Sequence, residues 1–206
     1  MIARLLFPYA EVETTQLELI SIYIDILLKW NSRMNLTAIR DPEEIIRRHF
    51  GESFFAAAQL IPNDWRGSVI DVGSGAGFPG LPIAVYSPEA AVTLIESQGK
   101  KATFLNEVIF DLRLKNVKVY RGRAEECADS ADLVTLRAVE KFSEVLPTAG
   151  GLVRMGGRLA LMIGRSQVSA ARRAAQGLDW RDPVVVPGGN SRVLLIGTKV
   201  VNEPSL

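Results

Sequence analysis

Cysteine and histidine are almost missing from this chain of 206 residues, where Cys127 and His49 each stand alone. A single cysteine excludes an internal disulfide, and with only one histidine beside it no zinc site is expected; metal is left out of the reading. Long hydrophobic runs are missing as well: the longest uncharged stretch, Val72 to Pro88, is shorter than a membrane span and is interrupted by glycine and proline. Met1 to Ala10 lacks the basic, apolar and small-residue succession of a secretory signal. A cytoplasmic protein without membrane contact is expected. Neither charge sign dominates, with 24 Lys and Arg against 23 Asp and Glu and a net charge of +1, which argues against indiscriminate nucleic-acid binding. The remainder, 48% hydrophobic and 23% charged, suits one substantial folded domain with an appendage, and a monomer is the expectation.

Glycine, by contrast, is concentrated. Val69-Ile70-Asp71-Val72-Gly73-Ser74-Gly75-Ala76-Gly77-Phe78-Pro79-Gly80 runs an apolar strand into an acid and then into four glycines. Such a strand leaves Asp71 at the carboxyl edge of a sheet, and Gly73 and Gly75 let backbone N–H groups approach a ligand where a Cβ would clash. Gly75-x-Gly77-x-x-Gly80 also satisfies the dinucleotide pattern. Asp71 separates the two readings, because a carboxylate here repels a pyrophosphate and attracts a cofactor carrying an ammonium and a sulfonium. S-adenosylmethionine is such a cofactor. Val92 to Ile95 reads as the next strand and ends in Glu96, an acid placed to accept both ribose hydroxyls.

Before this loop the chain reads as helical. Leu17, Ile20, Ile24, Leu27 and Leu28 recur at helix spacing and predict one amphipathic helix over about 13–32. Asp41-Pro42-Glu43-Glu44 supplies a capping acid, a proline at the first helical position and a glutamate three after the cap, opening a helix that carries Ile45, Ile46 and His49. Beyond Ser68, strands at 69–71, 92–95, 117–120, 133–136, 158–163, 184–186 and 193–198 alternate with helices such as 101–112 and 142–154. The predicted fold is α/β: a doubly wound, mainly parallel seven-stranded sheet. The last two strands are too close for a helical crossover, so the final strand should run antiparallel. That is the class I S-adenosylmethionine-dependent methyltransferase arrangement, with a helical extension over 1–66 packed on a Rossmann-like domain over 67–206.

Arg113, Lys115, Lys118, Arg121 and Arg123 form an acid-free basic run, and Arg47, Arg48, Lys100 and Lys101 form further basic pairs. If they converge they make a nucleic-acid surface; if they do not, they are solvated charges. Residue types also narrow the acceptor. After the fourth strand Leu136 is followed by Arg137-Ala138-Val139, without the Asn or Asp, Pro-Pro and aromatic residue used by methyltransferases of exocyclic amines. Cytosine C5 methylation needs an activated cysteine, and Cys127 lies in an acidic Glu-Glu-Cys-Ala-Asp context that offers no cation to activate it. Guanine N7 already has an in-plane lone pair and no proton, so it requires position and charge complementarity without a general base. Arg137 suits such a site by holding a phosphate or guanine O6, although it also suits an ion pair with Asp71 or Glu140.

Several segments together resemble one family, the bacterial 16S rRNA guanine-N7 methyltransferases of the glucose-inhibited division protein B type. They are Trp30-Asn31, Met34-Asn35-Leu36-Thr37-Ala38-Ile39, Arg48-His49, Asp71 to Gly80, Glu96-Ser97 with Gly99-Lys100, Arg123-Ala124-Glu125-Glu126 and Arg137-Ala138. The resemblance implies methyl transfer from S-adenosylmethionine to a guanine of a 16S rRNA loop near the decoding site, on the small ribosomal subunit or its precursor. It implies cofactor contacts at Gly73, Phe78, Ala124, Glu125 and Arg137, and an RNA pocket with Asn35, His49, Lys100 and Arg123. For His49 a structural place on the helical cap is the alternative. Family members often carry Leu-Lys-Gly after the fifth strand, where this chain has Met162-Ile163-Gly164; Arg165 is the candidate to replace that charge. Two other readings stay open at this level: a methyltransferase for a small molecule or protein, and a non-catalytic ribosome-assembly factor.

Overall fold

The computed structural model describes residues 1–138, 142–189 and 191–200. Its first part is helical: α1 (Ile2–Leu6), α2 (Thr14–Asn31), α3 (Pro42–Ile45), a π turn over Ile46–Gly51, and α4 (Glu52–Leu60). The α3 cap forms as the sequence requires, with the Asp41 side chain accepting from the Glu44 N–H at 2.8 Å and Pro42 at the first helical position. The regular helix expected to carry His49 instead widens into the π turn. One extra residue per turn changes the angular register of everything after it, a device often found at functional sites.

The rest alternates strands and helices: β1 (Ser68–Val72), α5 (Gly80–Tyr86), β2 (Ala91–Ile95), α6 (Gly99–Asp111), β3 (Val117–Tyr120), β4 (Ala131–Arg137), α7 (Phe142–Gly151), β5 (Val153–Gly164), α8 (Val168–Ala174), β6 (Leu178–Trp180), β7 (Val184–Val185) and β8 (Arg192–Lys199). They form an 8-stranded sheet in the order β3-β2-β1-β4-β5-β8-β6, with β7 on β8. Pairing is parallel from β3 through β5, and β8 runs antiparallel to β5, β6 and β7. The sequence reading counted seven strands because Leu178–Trp180, a short edge strand around a half-buried tryptophan, carries no alternation of its own. It also carried α7 on to Arg154, whereas the helix stops at Gly150-Gly151 and Val153-Arg154 already belong to β5. Glycine gives up more freedom in a helix than any other residue, and a pair of them ends this one.

Strand alternation assigns each side chain to a face. Ile70, Val72, Val134, Leu136, Leu161 and Ile163 enter one core against α7 and α8, while Val69, Leu133, Ala160 and Met162 enter the other with α2, α4, α5 and α6. Tyr23, Phe50, Phe54 and Phe104 are fully buried in that second core, each worth roughly 2 to 3 kcal/mol on burial. By the same parity Asp71, Thr135 and Arg137 lie on the face toward the helical cap. Strand order reverses between β1 and β4, and in open α/β sheets the carboxyl ends at such a reversal form a ligand crevice. Among the described residues no helix is long and apolar enough to cross a membrane.

Candidate functional site

A cavity of about 450 Å³ opens at that crevice, a size suited to a nucleoside cofactor. Its floor is the loop after β1, where Gly73, Gly75 and Gly77 take φ values of 67°, 57° and 85°. The tightest position is Gly77, where a Cβ would meet Tyr23 Oη at 2.3 Å and Leu81 Cδ1 at 2.5 Å. Glu96, 5% exposed, stands at the cavity just past β2. Its Oε2 accepts from the Gly75 N–H at 2.9 Å and its Oε1 from the Gln98 N–H at 2.8 Å. A carboxylate has about four acceptor positions, so each oxygen can still take a hydroxyl. Glycine backbone on one side and a carboxylate fixed by two N–H groups on the other make a donor set that fits a ribose-bearing cofactor.

Asp71 has a different position. It is 1% exposed and lies beneath the loop, outside the cavity lining, with Oδ1 accepting from the Thr135 hydroxyl at 2.8 Å and Oδ2 from the Gly80 N–H at 3.3 Å. Burial raises its pKa to about 6 against the pull of Thr135 and Gly80. Through these two bonds it braces β4 against the start of α5.

The opposite wall comes from the cap. His49 stacks on Phe78 with ring centroids 4.7 Å apart, and Phe78 stacks on Tyr23 at 5.3 Å. Arg137 Nη2 lies 3.3 Å from His49 Nδ1, and Thr37 Oγ1 lies 2.7 Å from Nε2. A guanidinium can only donate, so these neighbours favour the tautomer with Nδ1 turned to Arg137 as acceptor and the proton on Nε2, toward Thr37. Burial, reinforced by Arg137 and Arg48, lowers the His49 pKa to about 3. The ring is neutral at physiological pH, and its place is both structural and at the cavity.

Arg137 Nη2 also donates to the Arg48 carbonyl at 2.7 Å and to Glu52 Oε2 at 3.2 Å. Its ion-pair partner among the described residues is Glu52 rather than Asp71; Glu140, the other candidate, lies outside the described residues. Glu52 Oε1 in turn meets Arg48 Nε at 3.3 Å and Arg192 Nη2. Burial raises the Glu52 pKa against the opposing pull of Arg137 and Arg48. Arg137 Nη1 is buried with no hydrogen-bond partner among the described residues, an unmet donor that a bound acceptor would satisfy.

Of the residues singled out in the sequence, the cavity lining unites Gly73, Gly75, Phe78, Glu96, His49 and Arg137. Others lie outside it. Ala124 opens a short 3-10 turn and packs its side chain into the core, and Glu125 on the same turn is exposed. The exposed Asn35 accepts from Arg40 at 3.2 Å. Lys100 lines a separate cleft with Trp30 and Arg33, while the next residue, Lys101, lines the cavity, because one helical step rotates a side chain by about 100°. Arg123 and Arg165 are exposed, the first capping one 3-10 turn and the second opening another, and Ile163 faces α7 and α8 rather than the cavity.

The basic residues converge only in part. Lys118 pairs with Asp129 at 3.1 Å and Arg47 with Glu43 at 3.0 Å. Arg121 reaches the start of α6 near Lys100 and Lys101, where a Cβ on Gly99 would be 2.7 Å from its Nη2. Sequence reasoning missed Glu52 and Arg192, named Lys101 only as part of a basic pair, and did not assign Thr37. The available signal for Glu52 was its position four residues after Arg48 in a helix; for Arg192 there was none.

A family model described as rRNA small subunit methyltransferase G matches residues 16–181. Ribosomal RNA small subunit methyltransferase G from Chloroflexus aggregans is 41% identical over 199 residues, covering 89% of this chain and 82% of the relative. The protein of the same name from Roseiflexus castenholzii is 38% identical, covering 94% and 88%. Among solved structures, a methyltransferase from Pyrococcus furiosus superposes with a TM-score of 0.64 at 15% identity over 88% of this chain and 98% of that one. TYW2 from M. jannaschii, in complex with AdoMet, superposes at 0.58 with 19% identity over 73% and 74%. Both structural likenesses concern the fold alone.

Proposed function

Since the chain belongs to the rRNA small subunit methyltransferase G family, an S-adenosylmethionine-dependent rRNA methyltransferase, we propose that its acceptor is N7 of one guanine in a 16S rRNA loop near the decoding site. The small ribosomal subunit or its late precursor presents that loop. One observation carries the choice of atom: the only imidazole of the chain lines the cavity with a pKa of about 3, and so cannot take a proton at neutral pH. An acceptor that must lose a proton would find no imidazole base there, and the Glu96 carboxylate is engaged by the Gly75 and Gln98 N–H groups, whereas N7 has no proton to lose.

When bound, S-adenosylmethionine supplies an electrophilic methyl group on a sulfonium. Glu96 would accept the ribose hydroxyls through its free lone pairs, and the backbone at Gly73 and Gly75 would let the nucleoside lie close to the loop. Arg137, held by Glu52, His49 and the Arg48 carbonyl, would present fixed positive charge to guanine O6 or an adjoining phosphate. A bidentate grip on O6 and N7 is excluded because it would cover the acceptor atom. The neutral His49 ring, stacked on Phe78, would give a base a flat apolar neighbour without adding charge repulsion.

The test is incubation with labelled S-adenosylmethionine and unmodified small subunits, followed by nucleoside analysis of the rRNA. A 7-methylguanosine peak that vanishes with Arg137→Ala, while calorimetric cofactor binding is kept within about tenfold, is the expected outcome. Methyl label at any other atom, or none, overturns the proposal.

A further inference from the structure

Glu52 separates two cavities. On one side Arg137 lines the cofactor cavity; on the other, Arg48 and Arg192 line a cleft of about 200 Å³ with Tyr9, Ser191 and the Pro187–Gly189 turn. That second space is below the roughly 300 Å³ at which small-molecule sites begin, so it suits a single chemical group rather than a nucleoside. Its charge is unbalanced. One carboxylate is shared by the guanidiniums of Arg48, Arg137 and Arg192. Among the described residues, the other acid paired with Arg48 is Glu44, at 3.6 Å from a half-exposed position where water screens it.

The side chains of Arg48 and Arg192 are 40% and 30% exposed, so part of each is open to an anion. Gly188 and Gly189 bring bare backbone to the rim; at Gly188, with φ of 88°, a Cβ would lie 2.8 Å from Tyr9 Oη. Burial and the neighbouring Glu52 raise the Tyr9 pKa, so its hydroxyl remains a donor. Glu52 also lines the cleft, but its carboxylate is already engaged by guanidiniums, so two guanidinium forks, a phenol and a serine hydroxyl around a small void keep the chemistry of a phosphate site.

We propose that the cleft between Tyr9, Arg48 and Arg192 takes a phosphodiester of the bound RNA, next to but separate from the cofactor cavity. This rests on the rRNA substrate reading. Glu52 joins the two spaces: an anion that draws Arg48 and Arg192 toward itself leaves the Glu52 carboxylate more fully to Arg137. RNA seated in the cleft therefore firms the residue that faces the acceptor.

The test uses the full chain and measures filter binding of unmodified small subunits across a salt series, with calorimetry of S-adenosylmethionine alongside. Arg192→Gln and Ser191→Asp should each weaken subunit binding about tenfold and, for Arg192→Gln, flatten the log–log salt slope by about one. Cofactor affinity should stay within about twofold. Ser191 is exposed, so its aspartate variant keeps the test alive if the arginine variant fails to fold. Unchanged subunit affinity in folded Ser191→Asp overturns the proposal. A thermal shift with millimolar inorganic phosphate that the variants abolish, with subunit binding untouched, also overturns it and assigns the cleft to a free anion. If the wild type binds no subunits, the substrate reading fails first. The cleft is then judged by phosphate alone, and an equal shift in wild type and Ser191→Asp removes the anion site as well.

Discussion

The wall formed by the glycine loop and Glu96 is built from a short piece of chain; Gly75 and Glu96 hydrogen-bond across 21 residues. The wall formed by His49, Glu52 and Arg137 joins positions 85 to 89 residues apart. Chemistry differs in parallel with distance. The first wall offers backbone donors and one carboxylate to a nucleoside. The second places three guanidiniums around a single acid and a neutral imidazole beside them. The glycine-loop wall is thus written into one strand–loop–helix–strand stretch, whereas the opposite wall exists only once the cap has folded onto the sheet.

The largest way to break this contrast is Glu52→Ala. It leaves buried guanidinium charge without its counter-ion, and about 3 to 5 kcal/mol of stability should be lost in denaturant unfolding. Gly77→Ala attacks the other wall: a left-handed φ and a Cβ 2.3 Å from Tyr23 Oη force the loop to move. Calorimetry should show cofactor affinity reduced by about a hundredfold or more, with the far wall intact.

Glu96→Gln and Asp71→Asn sharpen the comparison between two acids that look alike in sequence. Losing charge-assisted acceptance should cost Glu96→Gln about 1.5 to 3 kcal/mol of cofactor binding. Asp71→Asn should change affinity by no more than about threefold, since its carboxylate touches the protein instead. An Asp71→Asn loss matching that of Glu96→Gln would put Asp71 in the ligand site after all.

Acid separates the walls by sign. As pH falls below 6.5 the unfolded chain protonates its histidine while folded His49, with a pKa of about 3, does not. Stability from this residue is therefore full above pH 6.5 and drains between there and pH 3, by about 2 kcal/mol from pH 7 to 5. Folded Asp71, at about 6 against 3.8, binds protons first and gains about 1 kcal/mol over the same interval. Unfolding curves at the two pH values should show His49→Gln less acid-sensitive than wild type and Asp71→Asn more so. The smallest effect is at the head of α6. Lys101→Ala should weaken cofactor binding a few-fold, about 0.5 to 1 kcal/mol, and Lys100→Ala should leave it unchanged.

The sheet, its antiparallel end and the ligand loop were legible because apolar periodicity and glycine spacing are local properties. The edge strand Leu178–Trp180 was not, being three residues long and paired only through β8. At the site, the place of Glu96 at the cavity could be read from its strand end, whereas Phe78 came into the reading only through the family resemblance. Asp71 could be located but its depth could not, since the backbone turn beyond it decides whether the carboxylate looks outward or under the loop. Lys100 was preferred to Lys101 because adjacent identical residues differ only in helical phase, which depends on where α6 begins. Glu52 and Arg192 gain meaning only from one another, 140 residues apart.

Tyr23 supplies the underside of the glycine loop, stacking on Phe78 and donating its hydroxyl to the Ala76 carbonyl. It belongs to α2, which leaves the ribosome well before β1. During synthesis the mould is made before the object it shapes. A chain shortened from its amino terminus would keep every glycine of the loop and lose the surface that gives those glycines their form.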